Sequence, residues 1–260
     1  KGLFVTHLHP DHIGLARWLQ ERHRVPVWMS ARAHESARAL FGGSGPDSGE
    51  VESFLLMHGV PQSISVQPLF KPERFVRMTS GLPEVARHIG DGERLGWAGD
   101  EWIAMRTDGH AEGHLCLWNR TANLLISGDQ VLPTISSNIS IMIRQRDGNP
   151  LGSYLSSLER LRTLPANTLV LPAHGTLFYG LQARIDDLRA HHEAQLAKLM
   201  DTCTTPMSAY EVLPVLFRRE LGGMHLFLAL GEAIAHLEYL AQQGELNREE
   251  QSDVVRYVRG

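Results

Sequence analysis

The sequence predicts an α/β fold whose strands end in metal-ligating side chains, followed by a helical second part, and three observations carry this. First, Thr6-His7-Leu8-His9-Pro10-Asp11-His12 places three imidazoles and a carboxylate within six positions, directly after the strand-like Leu3-Phe4-Val5. Second, similar donors follow other short apolar runs. Trp102–Arg106 leads into Thr107-Asp108-Gly109-His110-Ala111-Glu112-Gly113-His114, Asn123–Ser127 into Gly128-Asp129, and Thr168–Pro172 into Ala173-His174-Gly175. Third, Leu181, Ile185, Leu188, His192, Leu196 and Leu199 recur at helical spacing and paint one stripe of a long helix.

Imidazole nitrogen and carboxylate oxygen are the donors that a borderline cation such as Zn²⁺ takes, and a loop at a strand's end can turn alternate side chains toward one point. A single histidine on an apolar element is usually a hydrogen-bonded core residue. Three with an aspartate, matched by further donors beside glycines that let the chain turn sharply, point to a metal site instead.

The remaining elements follow in order. Leu15–Leu19 opens a helix, Val25–Met29 is the next strand, and Ala31 to Leu40 has the mixed character of a surface helix. Gly42 to Gly49 reads as a flexible loop, and Glu52 to His58 as a helix ending at Gly59-Val60-Pro61. The stretch 31–77 exceeds what a strand-helix-strand connection requires, so it is expected to be an insertion that selects substrate. Cys116 alternates with Leu115 and Leu117 on a strand and reads as a buried, inert thiol. After the long helix, Thr205-Pro206 is a break, Ser208-Ala209-Tyr210-Glu211 is a capping box that opens a second helix, and Met224 to Gln243 is a third, ended by Gly244. Leu246 and Val254–Val258 suggest a small hairpin. Three helices and a hairpin suggest a winged helix, which divides the chain into a catalytic domain, 1–180, and a C-terminal domain, 181–260.

Composition narrows the partners. With 43% hydrophobic and 21% charged residues in 260, the chain can bury a full core, and no run approaches the length of a membrane span. Its two cysteines, Cys116 and Cys203, lack the paired spacing of a disulfide framework, so a reducing, cytoplasmic setting is expected. Residues 181–260 hold eight basic and twelve acidic side chains and so carry the whole net charge of −4. The third helix has no Lys or Arg, and phosphate affinity depends on such cations, so nucleic acid is not the expected partner.

The order HxHxDH, GHxxGH, an Asp after a strand and a His in an AHG turn resembles the metallo-β-lactamase fold superfamily over residues 1–180. The resemblance implies an αββα sandwich in which His7, His9 and His110 hold one divalent ion, Asp11, His12 and His174 hold a second, and Asp129 bridges them. Zn²⁺ is the expected metal, with Mn²⁺ or Fe²⁺ as alternatives. Where the family commonly has proline, this chain has Asp108, read as a turn residue; His114 is read as a supporting or packing residue. The family also has several strands before HxHxDH, so the chain is expected to lack its first strands and to belong to a longer protein. The Ala235–Leu240 stretch resembles the winged-helix appendage of some hydrolases of that superfamily. The implied activity is dinuclear hydrolysis, by a metal-activated hydroxide, of a small-molecule ester, thioester or lactone, with Asp11 and Asp129 positioning the nucleophile and handling its proton. A phosphodiesterase or endoribonuclease is the alternative, and an iron-dependent persulfide dioxygenase a more distant one.

Overall fold

Parallel pairing begins at the first motif. In the computed structural model, which describes every residue except Ser44, 65–75, Ala98, 144–147 and Arg219, β1 (Leu3–Phe4) pairs in parallel with β2 (Val27–Met29), and β2 with β3 (Val85–His88). Parallel neighbours need crossover connections. Helices α1 (Pro10–Ile13) and α2 (Ala16–His23) lie between β1 and β2, and α3 (Ala31–Phe41) and α4 (Ser48–Met57) between β2 and β3. A second sheet runs in the order β4 (Arg94–Trp97), β5 (Asp100–Arg106), β6 (Leu115–Asn119), β7 (Leu124–Gly128) and β8 (Leu169–Pro172). It is antiparallel except for β7 with β8, whose connection carries α5 (Pro150–Arg162).

Alternation along the strands assigns the layers. Trp102, Ala104, Leu115, Leu117, Leu124 and Ile126 share one apolar cluster with Phe4 and Trp28, so the two sheets face each other across it. On the other face of the three-stranded sheet, Val27 and Met29 pack with Ile13, Ala16, Ala33 and Ala37 from its helices. From Ser153 onward helix α5 covers the outer face of the larger sheet: Tyr154, Leu158 and Leu161 are buried, and Ser157 Oγ donates to the Asp108 carbonyl at 3.0 Å. Contact there is close enough that a Cβ on Gly109, at φ +122°, would lie 2.6 Å from Tyr154 Cα. The layers are therefore helix, sheet, sheet, helix.

Several elements differ from expectation. The surface helix expected over Ala31 to Leu40 forms as α3, exposed on one face, but with Ala33 and Ala37 fully buried on the other it is a crossover helix against the sheet. Part of the expected insertion 31–77, residues 65–75, lies outside the described residues. Inside the expected loop Gly42–Gly49, Asp47 starts α4 with a capping box, its Oδ1 accepting from Glu50 N at 2.9 Å while Glu50 Oε2 accepts from Asp47 N at 3.0 Å. Strands β3 and β4 and helix α5 were not anticipated.

The compact units also differ from a single cut at residue 180. One comprises Lys1–Gly45, Pro72–Ser137 and Ser153–Asp187, the other Pro46–Lys71, Asn138–Gly152 and Leu188–Gly260. Helix α6 (Leu181–Thr202) contains the boundary and buries Leu181, Ile185, Leu188, His192 and Leu199 of the anticipated stripe, with Leu196 half-buried. In the second unit, β9 (Met207–Ser208), α7 (Leu213–Leu216), α8 (Met224–Gln242), β10 (Leu246–Gln251) and β11 (Val254–Arg259) follow in order. The strands form an antiparallel sheet in the order β10, β11, β9. The capping box forms, with Ser208 N donating to Glu211 Oε2 at 2.7 Å, but it closes a turn before α7 while Ser208 pairs as β9. Leu199, Val212, Leu230, Ile234, Leu237 and Tyr257 are at the core of this unit. Between β10 and β11, Ser252 and Asp253 both adopt positive φ, as a tight two-residue hairpin turn requires.

Candidate metal centre

Each donor segment leaves a strand end at the same edge of the sandwich. His7 and His9 follow β1, with Asp11 and His12 in the first turn of α1, where Pro10 at the helix start costs no hydrogen bond. His110 lies in the β5–β6 loop, Asp129 follows β7, and His174 follows β8. The β5–β6 loop is anchored on α3. Ser30 Oγ accepts from Ala33 N at 3.0 Å as N-cap and donates to the Gly113 carbonyl at 2.6 Å, and Arg32 pairs with Glu112 at 3.1 Å.

All seven sequence-derived candidates come together in two groups. Ligand atoms of His7, His9, His110 and Asp129 lie within 4.8 Å of one another, as do those of Asp11, His12 and His174. Asp129 faces both. Its Oδ2 is 3.4 Å from His110 Nε2 and 4.0 Å from His7 Nε2, while its Oδ1 is 3.3 Å from His12 Nε2 and 3.5 Å from His174 Nε2. Asp11 Oδ2 completes the second group at 3.2 Å from His174 Nε2. The first group is the more enclosed: the His7 and Asp129 side chains are 0% and 10% exposed, against 58% for Asp11 and 47% for His174.

The electrostatics suit a cation. Burial, reinforced by neighbouring imidazoles, drives the His7 pKa far down and that of His9 to about 3, so both stay neutral with lone pairs available. Burial pushes Asp129 up, but the His110 and His12 imidazoles against its two oxygens outweigh this and hold its carboxyl well below the usual range. His12 Nε2 and Asp129 Oδ1 are both buried and only 3.3 Å apart, yet neither has a hydrogen-bond partner among the described residues. Within the first group His7 Nε2 and His9 Nδ1 lie 3.0 Å apart and share one hydrogen bond. Buried donor atoms that converge with their hydrogen-bonding capacity unmet fit a shared metal ion, and the nitrogen-rich set with carboxylate fits a divalent cation of the zinc type.

The supporting residues sort differently. Asp108 touches no donor: its Oδ1 accepts from Gly113 N at 2.7 Å and its Oδ2 pairs with Arg106 at 2.6 Å, so it closes the turn. His114 is fully buried, and its Nε2 accepts from Asp129 N at 3.3 Å. Cys116 is buried as expected, its thiol pushed up to about 12, chiefly by burial. The sequence reading missed Thr107, whose Oγ1 lies 2.8 Å from His114 Nδ1, and Ser137, whose hydroxyl donates to the Asp129 carbonyl. Neither stands in a motif; the second histidine of GHxxGH was the available signal.

A two-layer sandwich with helices outside and a His/Asp cluster at its strand ends defines a class of metal-dependent hydrolases. Residues 1–174 match the model of the metallo-beta-lactamase superfamily, and residues 196–260 that of the metallo-beta-lactamase-like C-terminal domain. The chain belongs to this superfamily and has its hydrolase fold. It is similar to the solved structure of a beta-lactamase domain protein from Burkholderia ambifaria, at 36% identity and TM-score 0.88, covering 99% of this chain and 73% of that one. It is 29% identical to the probable metallo-hydrolase YqjP of Bacillus subtilis, over 91% of this chain and 73% of that protein. An atrochrysone carboxyl ACP thioesterase of Aspergillus fumigatus is 26% identical over 64% of this chain and 38% of its own length. Among the described residues no helix is long and apolar enough to cross a membrane.

Proposed function

We propose that the protein is a dinuclear metal-dependent hydrolase of a small-molecule ester, thioester or lactone. His7, His9 and His110 would hold one ion, Asp11, His12 and His174 the other, and Asp129 both. The observation that carries this reading is the division of the Asp129 carboxylate, one oxygen toward each group. Two divalent cations, Zn²⁺ first and Mn²⁺ or Fe²⁺ as alternatives, would polarise a carbonyl and lower the pKa of water. Asp129, enclosed and locked through its backbone, keeps the two groups in register. Asp11, on the open side with its side chain 58% exposed, would pass a proton to a leaving group.

The acyl class is favoured by charge and by kinship. Residues 1–180 hold 17 basic and 17 acidic side chains, so no excess of cations draws in a polyanion, and one relative is described as a thioesterase. Turnover of an acyl panel is expected to vanish with chelator and return with Zn²⁺ or Mn²⁺. Metal-dependent cleavage of single-stranded RNA with no acyl turnover would replace this reading by a nuclease. One bound iron with persulfide oxidation would replace it by a dioxygenase.

We read the second unit as a winged helix, supported by the order α6, β9, α7, α8 and the β10–β11 hairpin. Without Lys or Arg on α8, it is not assigned a nucleic-acid role. Tight RNA or DNA binding in the same panel, falling steeply with salt, would reverse that assignment.

We propose also that a further strand extends the smaller sheet beyond β1. Among the described residues β1 pairs only with β2. A cavity of about 350 Å³ lined by Phe4, Ile126 and Leu171, and also by the donors Asp11, His12 and His174, opens beside β1, β7 and β8. Leu3 N and Val5 N donate to the Pro26 and Trp28 carbonyls, which leaves the Phe4 N–H directed at the open edge. Slow hydrogen exchange at Phe4 in the intact protein is the expected result; exchange as fast as in an exposed loop would refute the added strand.

A further inference from the structure

Beneath the donors, four fully buried residues join the ends of β5, β6 and β7. Asp129 N lies 3.3 Å from His114 Nε2, His114 Nδ1 is 2.8 Å from Thr107 Oγ1, Thr107 Oγ1 is 3.3 Å from Cys116 Sγ, and Cys116 Sγ is 3.3 Å from the Ser127 carbonyl. Both ends have fixed polarity, because a backbone N–H only donates and a carbonyl only accepts. With Nε2 accepting, the single imidazole proton sits on Nδ1 and goes to Thr107 Oγ1. The threonine's own proton then goes to the thiol, and the thiol's to Ser127. The opposite tautomer would set two N–H groups against each other at Asp129.

The ring also sits tightly under the turn it holds. Gly128 has φ +53°, and a Cβ there would lie 2.5 Å from His114 Nε2. On the other side of the turn the Ser137 hydroxyl donates to the Asp129 carbonyl. The peptide groups flanking Asp129 are therefore fixed from both sides, which leaves only side-chain rotation to place the carboxylate.

We infer that Thr107 and His114 are positioning residues: the threonine hydroxyl locks His114 in its Nδ1–H tautomer, so that Nε2 fixes the Asp129 backbone and centres its carboxylate between the two donor groups. This rests on the proposed bridging role of Asp129. It assigns a task to the second histidine of GHxxGH that does not involve ligating a metal, and to a threonine outside the motifs.

Thr107→Val removes the hydroxyl while keeping the branched shape, and Thr107→Ser keeps the hydroxyl. Zinc affinity would be read by competition with a chromogenic chelator, alongside thermal stability of the metal-free protein and kcat and KM for an acyl substrate. Thr107→Val is expected to weaken zinc about 10–100-fold, the usual effect of losing a group that orients a ligand, and to lower kcat more than KM. Thr107→Ser should restore both. His114→Gln, whose Oε1 can accept from Asp129 N, should bind zinc more tightly than His114→Phe. If Thr107→Val lowers thermal stability but binds two zinc ions as tightly as the unaltered protein, the network is packing alone and the inference fails. If the unaltered protein itself binds fewer than two ions, it is the dinuclear reading that fails.

Discussion

Asp129→Ala is expected to cut turnover by more than about 10³-fold, on the order of 4 kcal/mol at the transition state. The side chain offers one oxygen to each donor group, so its removal takes a ligand from both at once. It also leaves His12 Nε2 buried without the carboxylate that faces it. His174→Ala should do less, because it removes one donor from the more open group, where water can take the vacated position. Elemental analysis is the check: about two ions per chain in the unaltered protein, fewer than one in Asp129→Ala, and between one and two in His174→Ala. A single ion that is unaffected by His174→Ala would discard the dinuclear centre.

The second unit is expected to lose stability as pH falls from 7.5 to 4.5. It buries three imidazoles, His58, His192 and His236. Burial, then the charge of Arg248, holds the His58 pKa at about 4, against the usual 6.5. Burial, then the neighbouring His236 and His191, drives His192 down to about 3; burial drives His236 down to about 4, against the opposing pull of its bond to the Glu232 carbonyl. His236 Nδ1 donates to the Glu232 carbonyl at 2.8 Å, which leaves its Nε2 to accept from His192 Nδ1 at 3.0 Å, so His236 cannot gain a proton without breaking that pair. Below pH 6.5 the unfolded chain therefore binds more protons than the folded one, and stability present above that pH is lost toward pH 4.

Glu232 acts in the opposite sense. Burial raises its carboxyl to about 7 from 4.5, so it costs stability as pH rises through that interval and relieves the cost on acidification. His58 and Glu232 each amount to about 3 kcal/mol with opposite signs and nearly cancel, which leaves the His192–His236 pair to decide the direction. Glu232→Gln, which can still accept from Asn138, should stabilise the unit at pH 7.5 and make its acid loss steeper. Hydrogen exchange along α8 isolates this unit from the donor histidines of the other. Exchange that is unchanged or slower at pH 4.5, after correction for intrinsic rate, would contradict the pair's role.

The donor set was legible because its signal is local. His7, His9, Asp11, His12, His110, Asp129 and His174 each follow a short apolar run, and a strand that ends at a glycine-flanked turn says where its next side chain emerges. Strands β3 and β4 were not legible, because Val85-Ala86-Arg87-His88 and Arg94-Leu95-Gly96-Trp97 are largely exposed and bury little beyond Leu95, so apolar alternation is nearly absent. Strand β9 is two residues long and coincides with a capping box, a stronger signal that drew the reading toward a helix. Helix α5 had a usable signal in Asn149-Pro150 and in Leu151, Tyr154, Leu158 and Leu161 at helical spacing, and it was overlooked. The assignment of 46–71 and 138–152 to the second unit rests on contacts between distant segments, which periodicity within a segment does not encode.

The one-way proton order under Asp129 also bears on how this chain can vary. Thr107, His114, Cys116 and Gly128 come from three strand ends, yet Thr107, His114 and Cys116 each accept a hydrogen bond from one neighbour and donate one to another, and the His114 ring fills the space where Gly128 would carry a Cβ. Residues sharing one network do not contribute additively. A change at any one of these positions is therefore penalised in the present background, while paired changes that restore a donor opposite an acceptor can be neutral. Divergence in this stretch should proceed by coupled replacements, leaving His114 and Gly128 as a unit that is inherited or lost together.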